Sequence, residues 1–319
     1  MLTAATSTSS RILVVRLGAM GDIIHALPAV ASLKTGFPGS LLTWIVEPKW
    51  APLLEDNPFI DRIVLLRRDT LAGLRASWRS LRAERYDFAV DFQGLIKSAL
   101  AASAARPDRI FGFHHTQLRE RGAALFYSDK TVSGAAHVVD QNLDLAAAAG
   151  AATLLRTFPL PPGRPEGALP PGDFVLASPL AGWRAKQWPI EHYQALAARL
   201  ERELGIPLVL DGPPGSELNH CSGLPGLIHA TRRAAAVVGV DSGPLHLAAA
   251  LGKPGVAIYG PTDPARNGPY GDSLRVLRSP AAVVTYKRGR SIDESMRAIS
   301  PAQVFEALKA MLGERRSQV

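Results

Sequence analysis

The stretch from residue 237 to residue 264 constrains the fold more than any other part of the chain. Residues 237–240 are an apolar run of strand length that stops at Asp241-Ser-Gly-Pro. Residues 245–251 follow at helical spacing and are closed by Gly252, and residues 256–259 are strand-like again. Strand, tight turn, helix, strand is the repeating unit of a parallel α/β sheet. Two readings of the turn are open. In one, Asp241 or Ser242 caps the helix, and Pro244 takes the first helical position, where its missing N–H costs nothing. In the other, the free N–H groups and the helix dipole hold an anion such as a phosphate. His246, one turn into the helix, favours the second reading. So does Pro261-Thr-Asp-Pro264, placed just past the carboxyl end of the next strand, where open α/β sheets bind ligands.

The same unit recurs along the chain. Residues 11–16 predict a buried first strand, followed by the glycine-bearing turn Leu17-Gly-Ala-Met-Gly-Asp22 and an apolar-periodic helix over 23–33, in which Pro28 predicts a kink or a restart. Further strands are expected at 41–46, 60–65 and 88–92, with a short helix at 50–57 and another opening at Gln93-Gly-Leu-Ile-Lys-Ser98. Residues 70–85 predict a basic helix with Leu71, Leu74, Trp78 and Leu81 at helical spacing. The proline-rich stretch 158–172 continues neither a helix nor a ladder and marks a boundary. Beyond it come a strand at 174–177, a helix at 190–204, a strand at 207–210, a helix at 224–233 and a last helix from Ser300-Pro to Gly313. A length of 319 fits two domains. The expected fold class is α/β, two Rossmann-like doubly wound domains with a ligand crevice between them, over 1–157 and 173–319, joined by a linker at 158–172.

Bulk properties exclude several classes. The net charge of +8 is split evenly between the two halves and fits a phosphate-bearing partner or an anionic membrane surface, but no nucleic-acid motif accompanies it. The single cysteine, Cys221, excludes an internal disulfide and a thiolate metal cluster, fits a reducing cytoplasm, and is expected to be a buried spare thiol. Residues 1–10 have no signal-peptide pattern and are expected to fray. No apolar run approaches the roughly 18 residues of a membrane span. The turn Gly18-Ala-Met-Gly-Asp22 lacks dinucleotide-binding spacing and is too short for a P-loop, which disfavours redox use of NAD.

Two sets of residues carry candidate chemistry. Asp22, at the start of its helix, is either a cap or a general base that takes the proton of an acceptor hydroxyl. The loop from Ser178 to Pro189 offers Arg184 and Lys186, cations that stabilise the charge growing on a departing diphosphate, or are simply solvated. That loop and the Asp241 turn both follow strands of one domain and are expected to face one crevice. Arg62, Arg67, Arg68, Arg75, Arg79, Arg82 and Arg85 with Trp78 form either a solvated helix face or a contact with lipid headgroups or acceptor phosphates.

Five segments, taken in order, resemble the lipopolysaccharide heptosyltransferases, and heptosyltransferase I in particular. They are Arg16-Leu-Gly-Ala-Met-Gly-Asp-Ile-Ile-His-Ala-Leu-Pro28, Asp91-Phe-Gln-Gly-Leu-Ile-Lys-Ser98, Lys186-Gln-Trp-Pro189, Asp241-Ser-Gly-Pro-Leu-His246 and Tyr259-Gly-Pro-Thr-Asp-Pro264. The resemblance implies a GT-B glycosyltransferase on the cytoplasmic face of the inner membrane. It would move heptose from ADP-L-glycero-D-manno-heptose to a Kdo sugar of Kdo-lipid A, with inversion and without a metal or cofactor. It makes Asp22 the base and Lys186 the donor-phosphate cation. Ala181, Gly182, Glu217, Asp241, Ser242, Gly243, His246, Thr262 and Asp263 fall to the ADP-heptose, and Gly21, His25, Arg67, Arg68, Lys97, Arg119 and His137 to the acceptor. Asp22 and Lys186 on opposing domains would suit a displacement that needs a base on one face of the sugar and charge stabilisation on the other, with closure excluding water. Residues 211–222 depart from the family pattern, being too short for the helix and following strand expected there. That departure leaves two rivals, a transferase using another sugar nucleotide and a catalytically impaired binding homologue.

Overall fold

The structure is a computed structural model that describes residues 10–285 and 289–316, so residues 1–9 of the expected tail lie outside the described residues. The chain divides into two compact units, Met1–Leu160 and Pro161–Val319.

The first unit is a six-stranded sheet with every pair parallel: β1 (Arg11–Val15), β2 (Leu41–Val46), β3 (Arg62–Leu65), β4 (Phe88–Asp91), β5 (Arg109–Phe113) and β6 (Asp129–Thr131). Its order is β3-β2-β1-β4-β5-β6, the doubly wound pattern that reverses direction between β1 and β4. Ile12, Leu13, Val14 and Val15 are all fully buried, as a central parallel strand covered on both faces requires. The helices are α1 (Met20–Gly36), α2 (Leu71–Arg82), α3 (Ile96–Ala104) and α4 (Val138–Ala148). From Met20 to Leu33, Asp22 is the one residue that is not buried. Pro28 does not restart α1. The helix runs through it, its packed flanks outweighing one lost backbone bond, and Ser32 Oγ donates to the Pro28 carbonyl at 2.7 Å. The helix expected at 50–57 is a 3₁₀ turn, Pro48–Leu53, with Pro52 inside it.

The second unit repeats the pattern with β7 (Val175–Ser178), β8 (Leu208–Gly212), β9 (His220–Cys221), β10 (Ala236–Val240), β11 (Gly255–Tyr259) and β12 (Leu274–Arg278) in the order β12-β11-β10-β7-β8-β9. Its switch point lies between β7 and β10. Helices α5 (Ile190–Leu204), α6 (Leu224–Arg233), α7 (Gly243–Ala250), α8 (Pro264–Asn267), α9 (Glu294–Arg297) and α10 (Pro301–Arg316) complete it. Leu196, Leu200, Trp188, Tyr193 and Phe305 pack on the strand residues Val238, Val256 and Ile258. Gly252 follows α7 at φ +64, the left-handed conformation that ends a helix. Gly313 does not end α10, which continues to Arg316; glycine weakens a helix by only about 1 kcal/mol unless the chain must turn there.

From Pro161 on, the proline-rich stretch is strapped to α6. Arg232 donates to the Pro161 carbonyl at 3.0 Å, Arg233 to that of Pro170 at 3.1 Å, and Glu166 accepts the Gly223 N–H at 2.6 Å. The short 211–222 segment loses its helix but keeps its strand. β9 pairs with the end of β8 in parallel, Asp211 opposite His220 and Gly212 opposite Cys221, across only residues 213–219. Buried Asp211 fastens this step by meeting His220 Nδ1 at 2.7 Å and accepting Ser222 Oγ at 2.9 Å. Burial raises the Asp211 carboxyl against the opposing pull of His220. Cys221 is half-buried, not buried, because a two-residue edge strand leaves one side uncovered.

Candidate active site

The switch point of the first sheet gathers the ends of β1 and β4. Arg16, 8% exposed, follows β1 and donates through Nη1 to the Phe92 carbonyl, while the Leu17 N–H donates to Gln93 Oε1 at 2.8 Å. These bonds tie the turn before α1 to the turn before α3. Arg16 Nη2 then meets Asp22 Oδ1 at 2.7 Å, and Asp22 Oδ2 accepts the Ala19 N–H at 3.2 Å. Asp22 thus meets the capping expectation. One oxygen closes the first turn of α1, and the carboxylate, 36% exposed, is presented at the carboxyl end of the sheet by a buried arginine.

Beneath this clamp lies fully buried Asp91, whose oxygens accept from Gln93 N–H at 2.9 Å, Gly94 N–H at 3.3 Å, Ser98 Oγ at 2.8 Å and Tyr127 Oη at 2.7 Å. Burial pushes the Asp91 carboxyl up, and these hydrogen bonds pull it part of the way back. Burial and the Asp91 charge also raise the Tyr127 phenol. Gly94 has φ +67, and a Cβ there would come within 2.5 Å of Leu118, so the turn admits glycine alone.

Of the residues assigned to the acceptor, Arg68 and Lys97 meet at Glu47. Arg68 pairs directly with that carboxylate, and Lys97 Nζ lies 3.9 Å from it. Beside them Trp50 closes over Gly18, where a Cβ would fall 2.7 Å from the indole nitrogen. His25 and His137 also meet, ring edge to ring face at 5.6 Å, with His137 Nδ1 accepting the Val139 N–H as the cap of α4. Gly21 is buried in the first turn of α1 beside Asp22. Arg67 and Arg119 are exposed and join neither group.

The switch point of the second sheet holds the opposite arrangement. Lys186 Nζ lies 2.7 Å from Asp241 Oδ2 and 3.1 Å from the Asp241 carbonyl, and it sits 4.8 Å over the Trp183 ring. His246 Nε2 lies 3.5 Å from Asp241 Oδ1. Burial alone would raise the Asp241 carboxyl, but His246 and Lys186 together bring it down to about 2. The expectation that Asp241 or Ser242 caps α7 is corrected. Ser242 is the N-cap residue but makes no side-chain cap bond, and the Asp241 carboxylate is drawn away to its two cations. Gly243 opens α7, whose first N–H groups are therefore uncapped by side chains. Among the described residues, the buried Ser242 Oγ and Thr262 Oγ1 have no hydrogen-bond partner, and they follow the adjacent strands β10 and β11. Asp263 spends its carboxylate capping α8, accepting the Ala265 N–H at 3.0 Å. Ala181 and Gly182 lie in the loop after β7, half-buried and exposed. Glu217 is exposed in the β8–β9 connection and does not join the Lys186 group.

Sequence reasoning missed Arg16, Gln93, Asp91, Tyr127 and Glu47. Arg16 stands in an apolar run that reads as plain strand, and Asp91 and Tyr127 are 36 positions apart. The segments that open at Arg16 and at Asp91 carried a signal, since both resemble the heptosyltransferases, but neither assigned a role to these side chains. No group of three or more His, Cys, Asp or Glu among the described residues is arranged to hold a metal ion.

A model of glycosyltransferase family 9 (heptosyltransferase) matches residues 74–222 and 222–292, two segments that meet where β9 ends. The chain is 29% identical over 312 residues to lipopolysaccharide heptosyltransferase 1 of Escherichia coli K12, covering 85% of this chain and 94% of that one. It is 30% identical over 297 residues to lipopolysaccharide heptosyltransferase 1 of Pseudomonas aeruginosa, covering 82% of each. The solved structure of E. coli heptosyltransferase WaaC with ADP-2-deoxy-2-fluoro heptose matches with a TM-score of 0.74 at 25% identity, over 96% of this chain and 99% of that one. The two doubly wound sheets, the residues gathered at their switch points and a family match over well over half of the sequence lead to one conclusion: this protein is a glycosyltransferase that belongs to family 9, the heptosyltransferases.

Proposed function

We propose that the protein transfers heptose from ADP-L-glycero-D-manno-heptose to a Kdo sugar of Kdo-lipid A, inverting the anomeric carbon, at the cytoplasmic face of the inner membrane. The first unit takes the acceptor and the second the donor. An acceptor hydroxyl attacks the anomeric carbon, its proton passes to the Asp22 carboxylate, and the bond from that carbon to the β-phosphate oxygen breaks. ADP leaves with the electron pair. Lys186, Arg184 and the uncapped N–H groups of α7 meet its charge, which gives the reaction no need of a metal or other cofactor.

The observation that carries this reading is the mixture at the second switch point. Two cations share one buried carboxylate there, and among the described residues Ser242 Oγ at the uncapped helix start and Thr262 Oγ1 after the next strand have no hydrogen-bond partner. Buried polar groups are rarely left unpaired, and donors arranged around a helix N-terminus suit a diphosphate. Asp241 serves by holding Lys186 and His246 and does not face the phosphate. Arg68 and Lys97 at Glu47 supply cations for an anionic sugar, and Gly21, next to Asp22, and the His25–His137 pair fall to the same acceptor. Relatives named lipopolysaccharide heptosyltransferase 1 support the choice of acceptor.

A second reading, a different sugar nucleotide, draws on the missing helix between β8 and β9 and on Glu217 standing apart from the site. A donor panel with Kdo-lipid A separates the two. Turnover with ADP-heptose, and a product of inverted anomeric configuration by NMR, is the expected result. Turnover with another donor and none with ADP-heptose would sink the proposal, and calorimetric donor binding without turnover would make the protein a binding homologue.

A further inference from the structure

Helix α2 is attached to the first unit by very little. Ser77 and Leu81 are its buried side chains, the former accepting the Arg67 N–H and reaching the Leu65 carbonyl, both at 2.9 Å. The other three apolar residues at helical spacing face outward, Leu71 75% exposed and Leu74 and Trp78 41% each. On the neighbouring α3, Ile96 and Leu100 are 43% and 49% exposed, one turn apart. Arg82 joins the two helices, lying 4.7 Å over the Trp78 ring while donating to the Ala104 carbonyl at 3.1 Å. Arg75 and Arg79 are exposed on the same helix, and no acidic residue occurs between Asp69 and Glu84.

A helix in water normally turns its large apolar side chains inward. One that turns them out and fringes them with arginine has the form of an interfacial helix, its apolar stripe in the acyl boundary and its cations among the headgroups. Charge decides the occupant. Along α2 the fringe is wholly basic, with Glu120 on the Ile96 N–H at the α3 edge, and this balance fits an anionic lipid surface, whereas a second copy of a chain of net charge +8 would bring like charge against it. We propose that α2, with Ile96 and Leu100 of α3, is the surface on which this protein lies against a bilayer carrying anionic lipid. The inference deepens the reading of a lipid-borne acceptor and rests on it for its purpose. α2 begins at the carboxyl end of β3, the end of the sheet at which Asp22 is presented, so docking there brings headgroups to the acceptor side of the chemistry.

The test is sedimentation of the full chain with vesicles of phosphatidylcholine, with and without phosphatidylglycerol, in the absence of donor and acceptor. Binding is expected on the anionic vesicles, with steep weakening as salt rises from about 0.1 to 0.5 M. Leu71→Ser/Leu74→Ser/Trp78→Ser should lower the partition coefficient by about tenfold or more with only a small drop in melting temperature, set by the lost contact of Trp78 with Arg82. Arg75→Glu/Arg79→Glu should lower it on anionic vesicles alone. Absence of wild-type binding, a triple variant that binds like wild type, or a wild-type dimer in place of vesicle binding that the triple variant abolishes would each overturn the proposal. Failure here with turnover on a soluble acceptor fragment breaks this inference alone. Vesicle binding without turnover breaks the transferase reading alone.

Discussion

The two sheets share one strand order, yet each treats the carboxylate at its switch point in the opposite way. Asp22 is left open, held by one buried arginine and one backbone N–H. Asp241 is sealed, its side chain 10% exposed, between a lysine and a histidine. A carboxylate that is to receive a proton must be reachable and must keep an acceptor position open, and Asp22, 36% exposed with one contact on each oxygen, meets both conditions. On the proposed reading, one that fixes cations beside a departing diphosphate must itself be shielded, and the Asp241 side chain is only 10% exposed. The same topology therefore supplies two sites of contrasting electrostatics, and neighbouring side chains, not the backbone, set the difference.

Removing the open carboxylate gives the largest expected effect. Asp22→Asn should fold, bind donor normally and lose about 10²- to 10⁴-fold in turnover. Near-normal turnover would break the contrast at its first term. Removing the sealed one should act on stability instead. Asp241→Ala leaves Lys186 and His246 without their counter-charge and should cost about 3 kcal/mol, read as a lowered melting temperature, with weaker donor binding by calorimetry. Lost stability with unchanged donor affinity would reduce Asp241 to a strut.

Acid sharpens the comparison further. The Asp241 carboxyl lies at about 2 in the folded chain against an ordinary 3.8, so its contribution is full above 3.8 and lost as pH falls toward 2, roughly 2 kcal/mol in all. Asp91 runs the other way. Its raised carboxyl favours the folded state at low pH, and that share is lost as pH rises through the raised value. An acid melt followed by a probe in the second unit should therefore show stability being lost as pH falls from 3.8 toward 2, and Asp241→Ala should flatten that dependence. Acid unfolding of the second unit that Asp241→Ala leaves unchanged would refute the linkage.

Much of this was visible in the residues, and the limits have physical causes. Central strands such as β1 and β10 are recognisable because burial on both faces demands unbroken apolar runs. β6 and β9, short edge strands, present no such run. The spacing of Leu71, Leu74, Trp78 and Leu81 predicts a helix correctly, but period alone does not say which face looks inward, and three of the four look out. Lys186, Asp241 and His246 were legible because a strand end and a helix start are local signals. The pairing of Lys186 with Asp241 was not, since it joins residues 55 positions apart.

The smallest effect tests how deep the support for Asp22 reaches. Tyr127→Phe removes one of four hydrogen bonds from Asp91 without changing shape and should cost about 1.5 kcal/mol of stability. Asp91 holds the Gln93 and Gly94 N–H groups, Gln93 holds Leu17, and Phe92 holds Arg16, which orients Asp22. If that chain transmits, turnover per folded molecule should fall by about two- to fivefold with donor affinity intact, because misplacing a reacting group costs rate before it costs binding. A variant that melts earlier but turns over normally would end the chain at Asp91 and leave Arg16 and the Ala19 N–H to orient the open carboxylate by themselves.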